Sequence, residues 1–133
     1  MKPQITFLLL LCALGLFAQE KPKLSTIEFV EVLNENRDEA RYYFENNWKV
    51  FRQKALERNY IAGFQLLETA KTKEASFDFI LVTTYANENS YANGEKNFQS
   101  IISEAEGLKL LNQKKPSEFR KSVAVQEKVM HLE

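Results

Sequence analysis

The run Phe77-Asp78-Phe79-Ile80-Leu81-Val82-Thr83-Thr84-Tyr85 is apolar at most of its positions. A strand sends alternate side chains to opposite faces. Phe77, Phe79, Leu81 and Tyr85 then share one face, and Ile80 and Val82 lie on the other. Neither face suits water, so the run reads as a strand covered on both sides. Residues 26–33 (T-I-E-F-V-E-V-L) are rich in β-branched and aromatic side chains and read as an earlier strand. Ile27, Phe29 and Leu33 point one way there, Val30 and Val32 the other. Residues 60–67 form a third such run, and the polar segment 71–76 is a connection of hairpin size.

Between these runs the period lengthens. Ala40, Phe44, Trp48, Phe51 and Ala55 recur at helical spacing and predict one apolar stripe. Arg41, Glu45, Lys49 and Arg52 are assigned to the wet side. Asn36 is the expected N-cap, with acidic Glu39 three residues on, and Asn59 the expected left-handed stop. A second helix follows the caps offered by Asn87-Glu88-Asn89-Ser90, with Tyr91, Phe98, Ile101, Ile102 and Ala105 as its buried stripe. Gly94 costs it ~1 kcal/mol relative to alanine, and Gly107 is the expected stop. In residues 108–117, Leu108, Leu110 and Leu111 allow a short helix before Pro116. From Phe119 on, Val123, Val125 and Val129 share a parity, which favours a fourth strand. Gln126-Glu127-Lys128 keep a C-terminal helix open as the alternative for residues 119–132.

The predicted order is strand, helix, strand, strand, helix, strand. That is the ferredoxin-like βαββαβ arrangement, an α+β fold with two helices on one face of a four-stranded antiparallel sheet. Two helices cover one face only. An apolar second face is expected to bury against another copy of the chain, as a homodimer.

Before these elements stands a different signal. Lys2 precedes an apolar run of 13 residues from Ile5 to Phe17, ending near small Ala18. The run is shorter than the ~20 residues that span a bilayer. It reads as an export leader over residues 1–19, followed by a tether over 20–24 and a domain over 25–133. The expected location is periplasmic or extracellular, with no membrane attachment after cleavage. The single cysteine, Cys12, falls inside the leader, so the mature domain lacks a disulfide. Removing Lys2 takes the net charge from zero to about −1, which favours neither nucleic acid nor an anionic membrane.

Several segments together resemble the dimeric α/β-barrel superfamily. They are Phe29-Val30-Glu31-Val32 leading into a helix with Trp48-Lys49-Val50-Phe51, then Tyr60-Ile61-Ala62-Gly63-Phe64, the Phe79 to Tyr85 strand, and a helix with Glu95 and Phe98. That superfamily includes antibiotic-biosynthesis monooxygenases, NIPSNAP-type proteins and stress-responsive barrel proteins. The resemblance spans roughly residues 25–105 and implies a dimer with a ligand pocket between helices and sheet. Haem-degrading members pair a helix-2 histidine with an asparagine at the end of the first strand. Asn34 is similar to that asparagine, but helix 2 has no histidine, which argues against haem.

His131 is the sole histidine, so a histidine pair or multi-histidine metal site within one chain is excluded. Near the terminus it reads as a surface or strand residue. Glu28, Glu31, Glu68 and Asp78 read as solvated acids, and Arg37 and Arg41 as solvated bases. No metal site or cofactor is expected, and no catalytic residue is assigned. The candidate pocket residues are Asn34, Trp48, Tyr85 and Phe98, where aromatic walls would hold a small apolar or aromatic molecule. Packing is the plainer role for Trp48 and Tyr85. The expected function is therefore an exported homodimeric binding protein. The alternative, through the resemblance, is a cofactor-independent monooxygenase.

Overall fold

A computed structural model of the chain describes residues 21–133, so the expected leader with Cys12 lies outside the described residues. Four strands, β1 (Leu24–Val32), β2 (Gly63–Glu68), β3 (Phe79–Tyr85) and β4 (Arg120–Met130), form one sheet in the order β2-β3-β1-β4. Every neighbouring pair is antiparallel. α1 (Arg37–Tyr43), a π-helical turn (Phe44–Trp48) and α2 (Lys49–Glu57) run on through helical backbone as one rod. α3 (Glu88–Ala92) and α4 (Gly94–Ser103) follow β3, and a single turn, α5 (Pro116–Phe119), leads into β4. The architecture is α+β with a four-stranded antiparallel sheet, and it fits the ferredoxin-like class broadly.

The alternation in β3 becomes an alternation of burial. Phe79, Leu81, Thr83 and Tyr85 are buried, and Ile80, Val82 and Thr84 are half-exposed. Register sets Val30 beside Phe79 and Glu28 beside Leu81 on the first face. Phe29 beside Ile80, Ile27 beside Val82 and Ser25 beside Thr84 occupy the second. On the first face Val30, Phe79 and Leu81 pack with Ala40 and Phe44 of the rod and with Phe119. Further along that face, Tyr85 packs with Ala55, Phe98 and Ile101. A fully buried side chain of this size stabilises by ~1.5–3 kcal/mol, and Phe79, Phe119 and Ile101 are all essentially sealed from water.

Several expected boundaries move, each for a local reason. Phe77 does not share the Phe79 face. The chain bends at Asp78, and Phe77 meets Phe29 on the opposite face, edge to ring at 5.0 Å. Asn36 does not cap α1 with its side chain. Instead its Nδ2 donates to the Glu118 carbonyl and its Oδ1 accepts from Lys114 Nζ at 2.7 Å. Asn59 does end α2 in the left-handed region, at φ 58°. The Tyr60 amide bonds to the Ala55 carbonyl and the Asn59 amide to that of Leu56. These are the two bonds of a Schellman motif, and they delay β2 to Gly63. Residues 108–115 hold no helix, and the fourth strand, not a C-terminal helix, follows Phe119.

β4 is an edge strand with two irregularities in its pairing to β1. Lys128 at one of them has φ 53°. A bulge re-aims a side chain and spoils an edge for further pairing. Here Lys128 Nζ reaches Glu88 at 3.0 Å and lies 5.5 Å from the centre of the Tyr91 ring, tying β4 to α3.

Candidate functional site

The helix-covered face holds a charged residue where the sequence pattern placed a solvated one. Arg52 of α2 is half-buried between its own helix, α4 and the sheet. Its guanidinium carbon lies 4.0 Å from the centre of the Phe98 ring and 4.7 Å from that of Trp48. Its Nε donates to Thr83 Oγ1 at 3.0 Å. Burial pushes the guanidinium pKa down to about 10, against the opposing pull of Tyr85 and Glu28, so the group is charged at neutral pH. Burial likewise raises the Tyr85 phenol, and the Arg52 charge partly offsets it.

A π-helical turn precedes Arg52 in the rod. Its i→i+5 bonds admit an extra residue into the turn, so the side chains beyond it rotate relative to a regular helix. Asn47, buried within the same turn, bonds through Nδ2 to the Lys109 carbonyl and through Oδ1 to the Lys109 amide, both at 2.7 Å. The connection after α4 is thus fastened to the wide turn. The signal for Arg52 was present in the sequence as the Trp48–Arg52 spacing of four, which sets a cation and a ring on one helical ridge.

Trp48 and Phe98 therefore meet across Arg52. Tyr85 packs against Phe98 in the same cluster and stacks edge-on with Tyr91 at 5.4 Å. Asn34 lies elsewhere, in the turn between β1 and α1. Both Asn34 and Glu35 have positive φ there, 54° and 59°. With Arg37, Lys71 and Asp78 they line a shallow depression of about 420 Å³.

Asp78 corrects the reading of the acids as solvated. It is 1% exposed, accepts the Val32 amide at 2.7 Å and pairs directly with Arg37, with Lys71 Nζ at 3.6 Å. Glu68 accepts from both Arg37 and Arg41. The Arg41 hydrogen bond, helped by Arg37, holds the Glu68 carboxyl below the usual carboxylate range. Here every charge has an opposite neighbour, so the cluster reads as a clamp joining α1 to the sheet edge. His131 is also engaged: Ser25 Oγ lies 2.7 Å from its Nε2 and 2.8 Å from Thr84 Oγ1. Ser25 is 2% exposed and, with His131 and Thr84, lines a depression on the second sheet face.

No family model, curated protein or solved structure matches this chain. Among the described residues no three His, Cys, Asp or Glu side chains converge as metal ligands, and no helix is long and apolar enough to cross a membrane.

Proposed function

We propose that the protein is an exported homodimer of the dimeric α/β-barrel type, in βαββαβ order, that binds a small apolar or aromatic molecule between its helices and its sheet. The observation that carries this reading is the divided use of the sheet. One face lies under helices, with Trp48, Phe98 and Tyr85 gathered around Arg52. The other presents Ile27, Phe29, Ile80 and Val82 in register, with Leu67 43% exposed beside Ile80. A contiguous apolar sheet face is a partner surface, and a second copy offers the same pattern in return. The leader in residues 1–19 supports export, and the resemblance in residues 25–105 supports the barrel.

Light scattering on the purified protein at micromolar concentration tests the assembly, with a dimer expected. A monomer at that concentration would sink it. Oxygen uptake with quinol-like substrates tests the rival activity and is expected to be absent. Turnover abolished by Trp48→Ala in a folded variant would replace this reading with a cofactor-independent monooxygenase.

A further inference from the structure

A guanidinium withdrawn from water is costly unless a carboxylate or several acceptors compensate it. Arg37, Arg41 and Arg58 each close on a carboxylate oxygen at hydrogen-bond distance. Among the described residues Arg52 closes on none. Glu28 acts on it only through the field, from the neighbouring strand, and forms no ion pair with it. Thr83 Oγ1 accepts a hydrogen bond from Nε, and the rings of Trp48 and Phe98 lie against the guanidinium. The two terminal nitrogens have no acceptor among the described residues, and they are not sealed from solvent. The group is thus fixed at its root, desolvated along its sides and unspent at its fork.

From this geometry we infer that Arg52 is the recognition residue for a small aromatic or apolar carboxylate, whose two oxygens take the free terminal nitrogens while its body lies along half-buried Trp48. This rests on the small-ligand reading above and specifies its ligand class. Arginine presents parallel N–H donors at the spacing of a carboxylate, which a lysine in this position would not. Anchoring Nε on Thr83 leaves the fork with little freedom to lose on binding. Buried Phe98 shields one side of the pair from water, and half-buried Trp48 offers apolar surface to the rest of the ligand. A neutral amide of the same skeleton finds the same rings but presents a single acceptor and no charge to the fork.

The test uses benzoate, phenylacetate and 2-naphthoate, each against its primary amide, titrated into the purified protein. Trp48 is the sole tryptophan, so its fluorescence reports from the site itself, and calorimetry supplies an independent affinity. At least one acid is expected to bind about tenfold or more tighter than its amide, as for a charge-assisted bond against a neutral one. Arg52→Gln should shrink that gap to less than about twofold, whereas the same change at Arg58 should leave it intact. Acid and amide binding equally well to the unaltered protein overturns the carboxylate inference and leaves the small-ligand reading standing. A gap that survives in a folded Arg52→Gln variant also overturns it. Failure of every acid and amide to bind at millimolar concentration overturns both. The comparison in the unaltered protein decides the matter even if Arg52→Gln does not fold.

Discussion

Tyr85 lies so close to Gly94 that a methyl group on the glycine would stand 2.8 Å from the phenolic oxygen and 2.9 Å from ring carbon Cε1. The helix propensity lost at Gly94 is therefore exchanged for a ring packed directly on the backbone of α4. Gly94→Ala regains about 1 kcal/mol of propensity but forces the ring to move. The net expectation is a destabilisation of roughly 1–2 kcal/mol, as for other overpacked sites. Urea denaturation measures it. In a double-mutant cycle with Tyr85→Leu the combined cost should fall short of the sum. A more stable Gly94→Ala variant would show that the contact has slack.

Asp78 bears the most buried charge of the clamp between α1 and the sheet. Asp78→Ala leaves the Val32 amide unpaired and Arg37 and Lys71 without their shared partner. Breaking such a pair typically costs ~3–5 kcal/mol. Arg37→Ala should cost less, because Arg37 is 36% exposed and Lys71 remains near the acid. Chemical denaturation of both variants checks the order, and the reverse order would contradict the burial argument.

Glu68 gives the clamp a pH dependence. Its folded pKa lies below its usual 4.5, mainly through the Arg41 hydrogen bond. A depressed carboxyl adds stability above the unfolded value and loses it as pH falls through the folded one. Stability should therefore decline as the solution is acidified below about 4.5, and Glu68→Gln should flatten that part of the profile. Partial exposure and screening keep the effect modest. Thermal melts between neutral pH and pH 3 read it out, and an unchanged slope in the variant would assign the acid loss to other carboxyls.

The uncovered sheet face makes a separable prediction. Val82 pairs with Ile27 on one side and Gln65 on the other, near the middle of that face. Val82→Glu should convert the proposed dimer to monomer while leaving far-ultraviolet circular dichroism unchanged. A variant that remains dimeric places the contact surface elsewhere.

Asn47 is expected to control the segment after α4. With both side-chain bonds to Lys109 removed in Asn47→Ala, the Lys109 amide should exchange with deuterium much faster, approaching the rate of an open loop. Protection unchanged from the parent would mean that Leu110, packed on the core, holds the segment alone.

The β3 alternation was readable in the sequence because a two-residue period translates directly into faces. Its continuation to Phe77 was not, since the bend at Asp78 breaks the period at a residue whose charge gives no sign of burial. Trp48, Phe98 and Tyr85 were recognisable as aromatic and inward. Arg52, the residue they gather around, was assigned to water by its charge, although its spacing of four from Trp48 already placed it on the inner ridge. The fourth strand was legible from valine parity. Its bulge at Lys128 was not, since only a backbone angle reveals it.

The amide of His131 bonds to the carbonyl of Lys23, and its ring meets Ser25, 106 residues earlier in the chain. β1 emerges first in synthesis, yet its two sheet neighbours are β3 and β4. One of its edges waits for the middle of the chain and the other for nearly the last residue. Contacts this distant in sequence form slowly. A chain without β4 cannot close its sheet, because one edge of β1 then stays open. Contacts that span nearly the whole described chain thus close the sheet, and loss of β4 would leave β1 paired to β3 alone.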